Sequence, residues 1–259
     1  MIFCNLGSGS KGNCTYLRGE NRAILIDQGF SLKNLTERMQ SANLDPGDVA
    51  AIIVSHEHSD HVKGIGVFAR HFRVPVFCTE ITRRAIPSDI VKNVRIETFT
   101  AGDVLEIGDI QLKTFTTPHD AADPIGFVGE SGNVRIAVLT DLGTVVESVI
   151  QHIYDLDLLF LESNHDMWML MNGPYPLYLK HRIKGRDGHL SNEQSLDLFK
   201  KIKMNGRFRH LILGHLSEIN NDPAKVLELF ESGIVPKLRD RKISIEIANQ
   251  HQPGNVHIL

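Results

Sequence analysis

The sequence predicts an α+β fold in four layers, αββα, with two packed sheets sandwiched between helical layers. Two observations predict it. Strand-like runs rich in Val, Ile and Leu recur along the whole chain, and helical patterns alternate with them. No Pro/Gly/Ser-rich linker and no repeat at solenoid spacing divides the 259 residues, so a single domain over 1–259 is expected.

In the first half the strand-like runs are Arg22 to Asp27, Val49 to Ser55, Val74 to Cys78, Val94 to Thr98, Ile110 to Thr116 and Val134 to Thr140. Ser31 to Met39 reads as a capped helix, and helical spacing begins at His61 and runs to Phe72. Gly126 to Gly129 and Val134 to Thr140 flank Glu130-Ser131-Gly132-Asn133, a hairpin with a Gly-containing turn. The second half repeats the theme, with helices expected at Gly143 to His152, Ser191 to Lys203 and Pro223 to Ser232. Strands Leu156 to Glu162, His210 to Leu213 and Ile243 to Ile247 alternate with them.

Hydrophobic content of 42% is ordinary for a folded globular protein. A formal net charge of −3 excludes a globally basic nucleic-acid binder but not a local basic patch. The opening Met1-Ile2-Phe3-Cys4-Asn5-Leu6-Gly7 lacks a basic start, and no apolar run approaches the length of a membrane span, so a cytoplasmic protein without membrane contact is expected. Three cysteines without paired spacing, Cys4, Cys14 and Cys78, argue against a disulfide framework and a thiolate zinc site, and read as small buried residues.

The most informative segment is His56-Glu57-His58-Ser59-Asp60-His61, just after the apolar run Ala50 to Val54. Three imidazoles and two carboxylates in six positions at the end of a buried strand form a rigidly supported metal-binding segment; the bland alternative is a solvated polar loop. A two-metal hydrolytic site needs about seven protein ligands, so further ligands must come from other strand ends. Three candidates follow apolar runs: His119, Asp141 and His215. Taken alone each would read as a core histidine or a turn aspartate; their strand-end positions favour ligation.

These residues resemble the metallo-β-lactamase fold, whose signature is H-x-H-x-D-H followed by a His, an Asp and a final His. The resemblance implies that His56, His58 and His119 hold one metal, that Asp60, His61 and His215 hold a second, and that Asp141 bridges them. It further implies that Asp27 supports the ligand loop from behind, although Asp27 could simply cap the Gln28-Gly29 turn. Four runs, Gly9 to Cys14, Glu162 to Asp166, Gly188 to Asn192 and Gly214 to Ser217, are similar to the YycJ/WalJ group of bacterial exonucleases. The last two also resemble the late histidine motifs of β-CASP nucleases, but no inserted β-CASP domain fits in this length. The resemblance to YycJ/WalJ implies a 5′-to-3′ DNA exonuclease activated by manganese and associated with DNA repair.

The chemistry expected is phosphodiester hydrolysis by a water activated between two divalent ions, with Asp60 catalytic and His189 binding the phosphate or protonating the leaving oxygen. A His-rich set favours zinc, and mixed His and carboxylate ligands also accept manganese or iron. From Lys180 to Arg209 nine basic residues face three acidic ones, a local net of +6 around His189. That charge, with Trp168, Tyr175 and Tyr178 upstream, suits a nucleic acid, expected to be DNA; the bland alternative is a solvated helix face. Lys11 and Asn13 could meet a phosphate through backbone amides, and Asn164, His165, Ser191 and Asn192 could touch substrate; Ser191 or Asn192 could instead cap a helix. Two other function classes stay open. One is a small-molecule hydrolase for a thioester, lactone or cyclic phosphodiester; the other is a metal-containing binding protein without turnover.

Overall fold

The computed structural model describes residues 1–204, 206–238 and 243–259. Two seven-stranded mixed sheets pack face to face. The first has the order β14(His257–Ile258), β1(Ile2–Gly7), β2(Cys14–Arg18), β3(Ala23–Ile26), β4(Val49–Ile53), β5(Val76–Thr79), β6(Ile96–Phe99). The second has the order β13(Ser244–Ile247), β12(His210–Gly214), β11(Leu158–Glu162), β10(Val134–Leu139), β9(Ile125–Ser131), β8(Ile110–Thr116), β7(Val104–Ile107). Helices α1(Leu32–Ser41), α2(Ser59–Val62), α3(Ile65–Phe72) and α4(Glu80–Ala85) lie between strands of the first half. α5(Glu147–Ile150), α6(Met167–Asn172), α7(Leu177–Ile183), α8(Asn192–Lys201) and α9(Pro223–Leu238) follow in the second.

Side-chain parity builds the layers. In β3, Ile24 and Ile26 point between the sheets while Ala23 and Leu25 join Leu35, Met39 and Phe68 under α1 and α3. In β11, Leu158 and Phe160 point inward, and Leu159 and Leu161 join Phe199 and Phe230 under α8 and α9. Strands covered on both faces must be apolar at every position, which is why these runs look continuous in sequence. The expected αββα sandwich is the observed one.

Several elements escaped the pattern. β1 carries buried Asn5, whose amide donates to the Thr15 hydroxyl at 3.2 Å, so its apolar alternation is broken. β7 alternates exposed and half-buried residues at a sheet edge, and β14 is two residues long. The helix expected over Gly143 to His152 shrinks to α5, and α9 runs past the expected Ser232. Ser31 caps α1 as expected, accepting from the Asn34 amide. All three cysteines are free and buried, and burial pushes the Cys4 thiol up to about 12. No helix among the described residues is long and apolar enough to cross a membrane.

Topology gathers the loops that matter. β3 runs parallel to β4, and β10, β11 and β12 are mutually parallel. β8 is antiparallel to β9, and β9 to β10, so β8 points the same way as β10. The carboxyl ends of these strands therefore open on one edge of the sandwich, the usual place for a site in sheets of this kind.

Candidate metal centre and active site

Each strand end delivers a polar side chain to that edge: Asp27 after β3, His56 to His61 after β4, His119 after β8, Asp141 after β10, Glu162 at the end of β11 and His215 after β12. Three of them, Asp27, Asp141 and His215, adopt left-handed backbone with φ of 59°, 56° and 57°. Non-glycine residues enter that region at a cost, and clusters of them mark sites where the fold fixes a side chain against its local preference.

The imidazoles converge. His56 Nε2 lies 3.0 Å from His58 Nδ1, and His119 Nε2 lies 3.4 Å from the same atom. His61 Nε2 lies 3.2 Å from Asp141 Oδ2 and 3.4 Å from Asp60 Oδ2, and His215 Nε2 lies 3.9 Å from Asp60 Oδ2. Ligand atoms of His56, His58 and His119 fall within 4.8 Å of one another, as do those of Asp60, His61 and His215. Asp141 stands between the two groups, with Oδ1 3.6 Å from His119 Nε2 and Oδ2 facing His61.

The other ring nitrogen is anchored in nearly every case. His56 Nδ1 meets the Ser55 hydroxyl at 2.9 Å, His61 Nδ1 meets Asp27 at 2.8 Å, His119 Nδ1 meets the Gly188 carbonyl at 2.9 Å, and His215 Nδ1 meets Glu162 at 2.8 Å. Such outer bonds fix the tautomer and aim the free nitrogen inward, the arrangement a metal requires. Asp27 also accepts from the Ser55 amide and hydroxyl, both at 2.7 Å, so it braces the ligand loop.

The electrostatics fit divalent cations. Asp27, Asp141 and Glu162 are buried and Asp60 largely so, a formal charge of −4 in one basin. Burial alone would raise the Asp60 carboxyl and lower His61 and His215. Instead hydrogen bonds from His215 and His61 hold Asp60 far below the ordinary range. Asp27 and Asp141 push His61 well up, and Asp141 with Asp60 and Glu162 does the same for His215. The basin demands positive charge, which divalent cations would supply. Burial, then the neighbouring imidazoles, holds His56 well below its usual value, in the neutral form that ligates. Asp141 Oδ2 is buried and faces only the His61 imidazole at 3.2 Å, so a cation between them would meet both.

Backbone approach locks the ligand loop. The Asn13 and Gln28 amides donate to the carbonyls of Asp60 and His61, both at 2.8 Å. A Cβ on Gly29 would sit 1.7 Å from the Asp60 carbonyl oxygen, so only glycine fits there. The Ser8 hydroxyl accepts from the His215 amide at 2.8 Å, and Asn164 Nδ2 donates to the His215 carbonyl at 2.8 Å, holding that residue in its left-handed turn.

His189 lies at the rim, its ring 5.1 Å from that of His119 and 5.2 Å from that of His215. Its Nδ1 is 2.8 Å from Glu162 Oε1, the same atom that His215 engages. Glu162 was absent from the sequence-derived set, although it closes an apolar strand just as the other candidates follow theirs. Burial opposes its ionisation, but His189 and His215 hold its carboxyl down to about 2. Asp120, also missed, reaches His119 Nε2 at 3.4 Å and pairs with Arg182 of α7 at 2.5 Å.

Other expected contacts take different places. The Lys11 amide is spent on Gln250 Oε1 at 2.7 Å and the Asn13 amide on Asp60, so neither is available to a phosphate. Asn13 Nδ2 instead sits 3.0 Å from Asp60 Oδ2 and 3.0 Å from His61 Nε2. Ser191 caps α8 in a reciprocal box with Gln194. Asn192 exchanges amide bonds with Asn221, and Asn164 and His165 are buried, so no substrate in solvent reaches these four. The basic segment is split as well. α8 starts at Asn192 and carries Lys200 and Lys201 roughly 13 Å along its axis from that start. Arg182, Lys184 and Arg186 remain exposed on its near side, with Trp168 and Tyr178 also exposed, whereas Lys180 is buried against the Met171 carbonyl.

The sequence matches the beta-lactamase superfamily domain over residues 22–216. It is 36% identical over 224 residues to exodeoxyribonuclease YycJ of Bacillus anthracis, covering 85% of this chain and 84% of that one. It is 32% identical over 246 residues to exodeoxyribonuclease WalJ of Streptococcus pneumoniae serotype 2, covering 93% and 90%. Among solved structures, the metallo-β-lactamase fold protein YhfI from Bacillus subtilis superposes with a TM-score of 0.72 at 14% identity, over 98% of this chain and 99% of that one. The short form of human tRNase Z superposes at 0.67 and 17%, over all of both chains.

Proposed function

This chain belongs to the metallo-β-lactamase-fold superfamily of hydrolases, in its YycJ/WalJ group, and from that premise we propose that it is a metal-dependent 5′-to-3′ exonuclease acting on DNA. Residues 1–259 form one catalytic unit in this reading, since β14 pairs with β1 and brings the two ends of the chain together. The observation that carries it is the Glu162–His189 pair beside the converging ligands. A histidine anchored at Nδ1 on Glu162 and outside the two ligand trios keeps Nε2 for a substrate.

His56, His58 and His119 would hold one ion and Asp60, His61 and His215 the other, with Asp141 facing both. Divalent ions there, manganese in the leading reading with zinc and iron as alternatives, would supply a water of lowered pKa and would neutralise charge on phosphoryl oxygens. Glu162 accepts from His189 Nδ1, and in the imidazolium form the second proton, on Nε2, would hold a phosphate oxygen or pass to the departing one, leaving the Nδ1-protonated ring behind. Asn13, bonded to Asp60 Oδ2, keeps that carboxylate turned toward His61 and His215. Exposed Arg182, Lys184 and Arg186 offer a phosphate track on one side, and Trp168 and Tyr178 offer faces for base stacking.

The test is manganese-dependent degradation of a duplex labelled at its 5′ or 3′ end. Mononucleotide release from the 5′ end is expected, abolished by Asp60→Ala and reduced about 10²-fold or more by His189→Ala. If the metal-loaded protein leaves both DNA and RNA intact, the nuclease reading fails and hydrolysis of a small thioester, lactone or cyclic phosphodiester replaces it.

A further inference from the structure

A second group of metal-ligating side chains lies away from this edge. His210 opens β12, Glu246 is in β13 and His257 is in β14, and one ligand atom of each falls within 4.8 Å of the others. β12 and β13 belong to one sheet and β14 to the other, so the trio spans the seam between the sheets. His210 is at the opposite end of β12 from His215, five residues and roughly 16 Å along an extended chain from the first centre.

The spacing of the trio suits ligands of a shared ion. His257 Nε2 lies 3.4 Å from Glu246 Oε2, too far for a charge-assisted bond of about 2.8 Å. The His257 side chain is 94% buried, and its Nε2 has no hydrogen-bond partner. Two atoms bound about 2.05 Å from a common tetrahedral ion lie about 3.3 Å apart, which matches the observed gap. The His210 and His257 rings are 4.5 Å apart at 56°, edge-turned rather than stacked flat. Glu246 is oriented through both oxygens, Oε1 accepting from the Ser244 hydroxyl at 2.7 Å and Oε2 from Asn255 Nδ2 at 2.9 Å. With a quarter of its side chain exposed, Glu246 also leaves a way in for an ion.

We infer that His210, Glu246 and His257 form a further zinc site, distinct from the hydrolytic centre, that clips the C-terminal strand β14 to the opposite sheet. Two imidazoles and one carboxylate suit zinc, with water completing the tetrahedron. Its role follows from the pairing. β14 meets β1 at only two register positions, Ile2 with Ile258 and Phe3 with His257, so a bond from His257 across the seam adds a restraint that the sheet itself provides weakly.

The test loads the full chain with excess zinc, dialyses it against metal-free buffer and counts retained zinc by elemental analysis, beside Glu246→Gln and His257→Gln. Both variants are expected to retain one equivalent fewer than the parent, to lose the zinc-dependent part of the rise in Tm that this site contributes, and to keep hydrolytic turnover within about two-fold. Equal zinc content in parent and folded variants overturns the site, as does a parent that retains no zinc beyond the amount lost on mutating the hydrolytic ligands. Circular dichroism checks folding. If His257→Gln fails to fold, Glu246→Gln alone decides, because its partly exposed carboxylate can be neutralised without opening the core.

Discussion

Replacing Glu162 with Gln changes one atom and one charge at the junction of the hydrolytic centre. Oε1 accepts from His189 Nδ1 and His215 Nδ1, both at 2.8 Å, and Oε2 accepts from the Leu142 amide at 2.8 Å and the Leu190 amide at 3.3 Å. A carboxamide keeps a single acceptor oxygen. Whichever way it turns, its NH₂ faces two donors, and the site is fully buried, so water cannot compensate. Bonds to a charged acceptor are worth about 1.5–3 kcal/mol each, so a stability loss on the order of 3 kcal/mol is expected. Because His215 loses its orienting partner, metal affinity should fall by about 10–100-fold. Metal titration followed by the end-labelled duplex assay at saturating metal separates the two effects. In a His189→Ala background the further loss of turnover at saturating metal should largely vanish, while the loss of affinity, transmitted through His215, should persist. A Glu162→Gln protein that binds metal and turns over within two-fold of the parent would refute this account.

In Asp27, Oδ2 serves His61 Nδ1 and the Ser55 hydroxyl while Oδ1 serves the Ser55 amide; Asp27→Asn keeps one acceptor oxygen, so its NH₂ faces a donor whichever way it turns, and metal affinity measured by titration should drop by about 10-fold or more with the fold intact by circular dichroism. Gly29→Ala drives a methyl into the Asp60 carbonyl, and a loss of about 3 kcal/mol, or a Tm fall of roughly 5–10 °C, should appear in a thermal melt. Asp109 ties the turn before β3 to the opposite sheet, accepting from the Glu20 and Asn21 amides at 2.8 and 3.2 Å and from the Ser131 hydroxyl at 2.6 Å. The Ser131 hydroxyl, then the Glu20 amide, holds its carboxyl at about 2, below the ordinary 3.8. The sign is that of a depressed acid: its contribution is complete above pH 3.8 and is lost as pH falls through about 2. Asp109→Asn should therefore cost about 1 kcal/mol at neutral pH, a small figure because solvent screens the group, and the gap from the parent in denaturant melts should close between pH 4 and pH 2.

The ligand candidates could be read from sequence because each obeys one local rule, a polar residue at the end of an apolar run. His56 to His61, His119, Asp141 and His215 all satisfy it, and the structure brings them together. Glu162 satisfies it too and was missed because a lone carboxylate closing a strand carries no spacing signature. Lys11 and Asn13 misled because a Gly/Ser loop resembles a phosphate cradle until its amides are seen to be occupied by Gln250 and Asp60. The +6 segment meets the same limit, with only Arg182, Lys184 and Arg186 left exposed before His189. Charge adjacent in sequence is divided by α8, which carries its lysines away from His189.

By itself the sequence determined what depends on neighbours along the chain: the strands covered on both faces, the Ser31 cap, the metal-binding hexapeptide and the alternation of strands and helices that predicts the αββα layering. Tertiary structure alone decided which outer nitrogen each imidazole offers to a partner, that Glu162 serves two histidines at once, that Asp27, Asp141 and His215 sit in left-handed turns, and that His210, Glu246 and His257 meet across the seam. These depend on atoms brought together from strands far apart in sequence, and their separations are set by sheet packing, which no local pattern encodes.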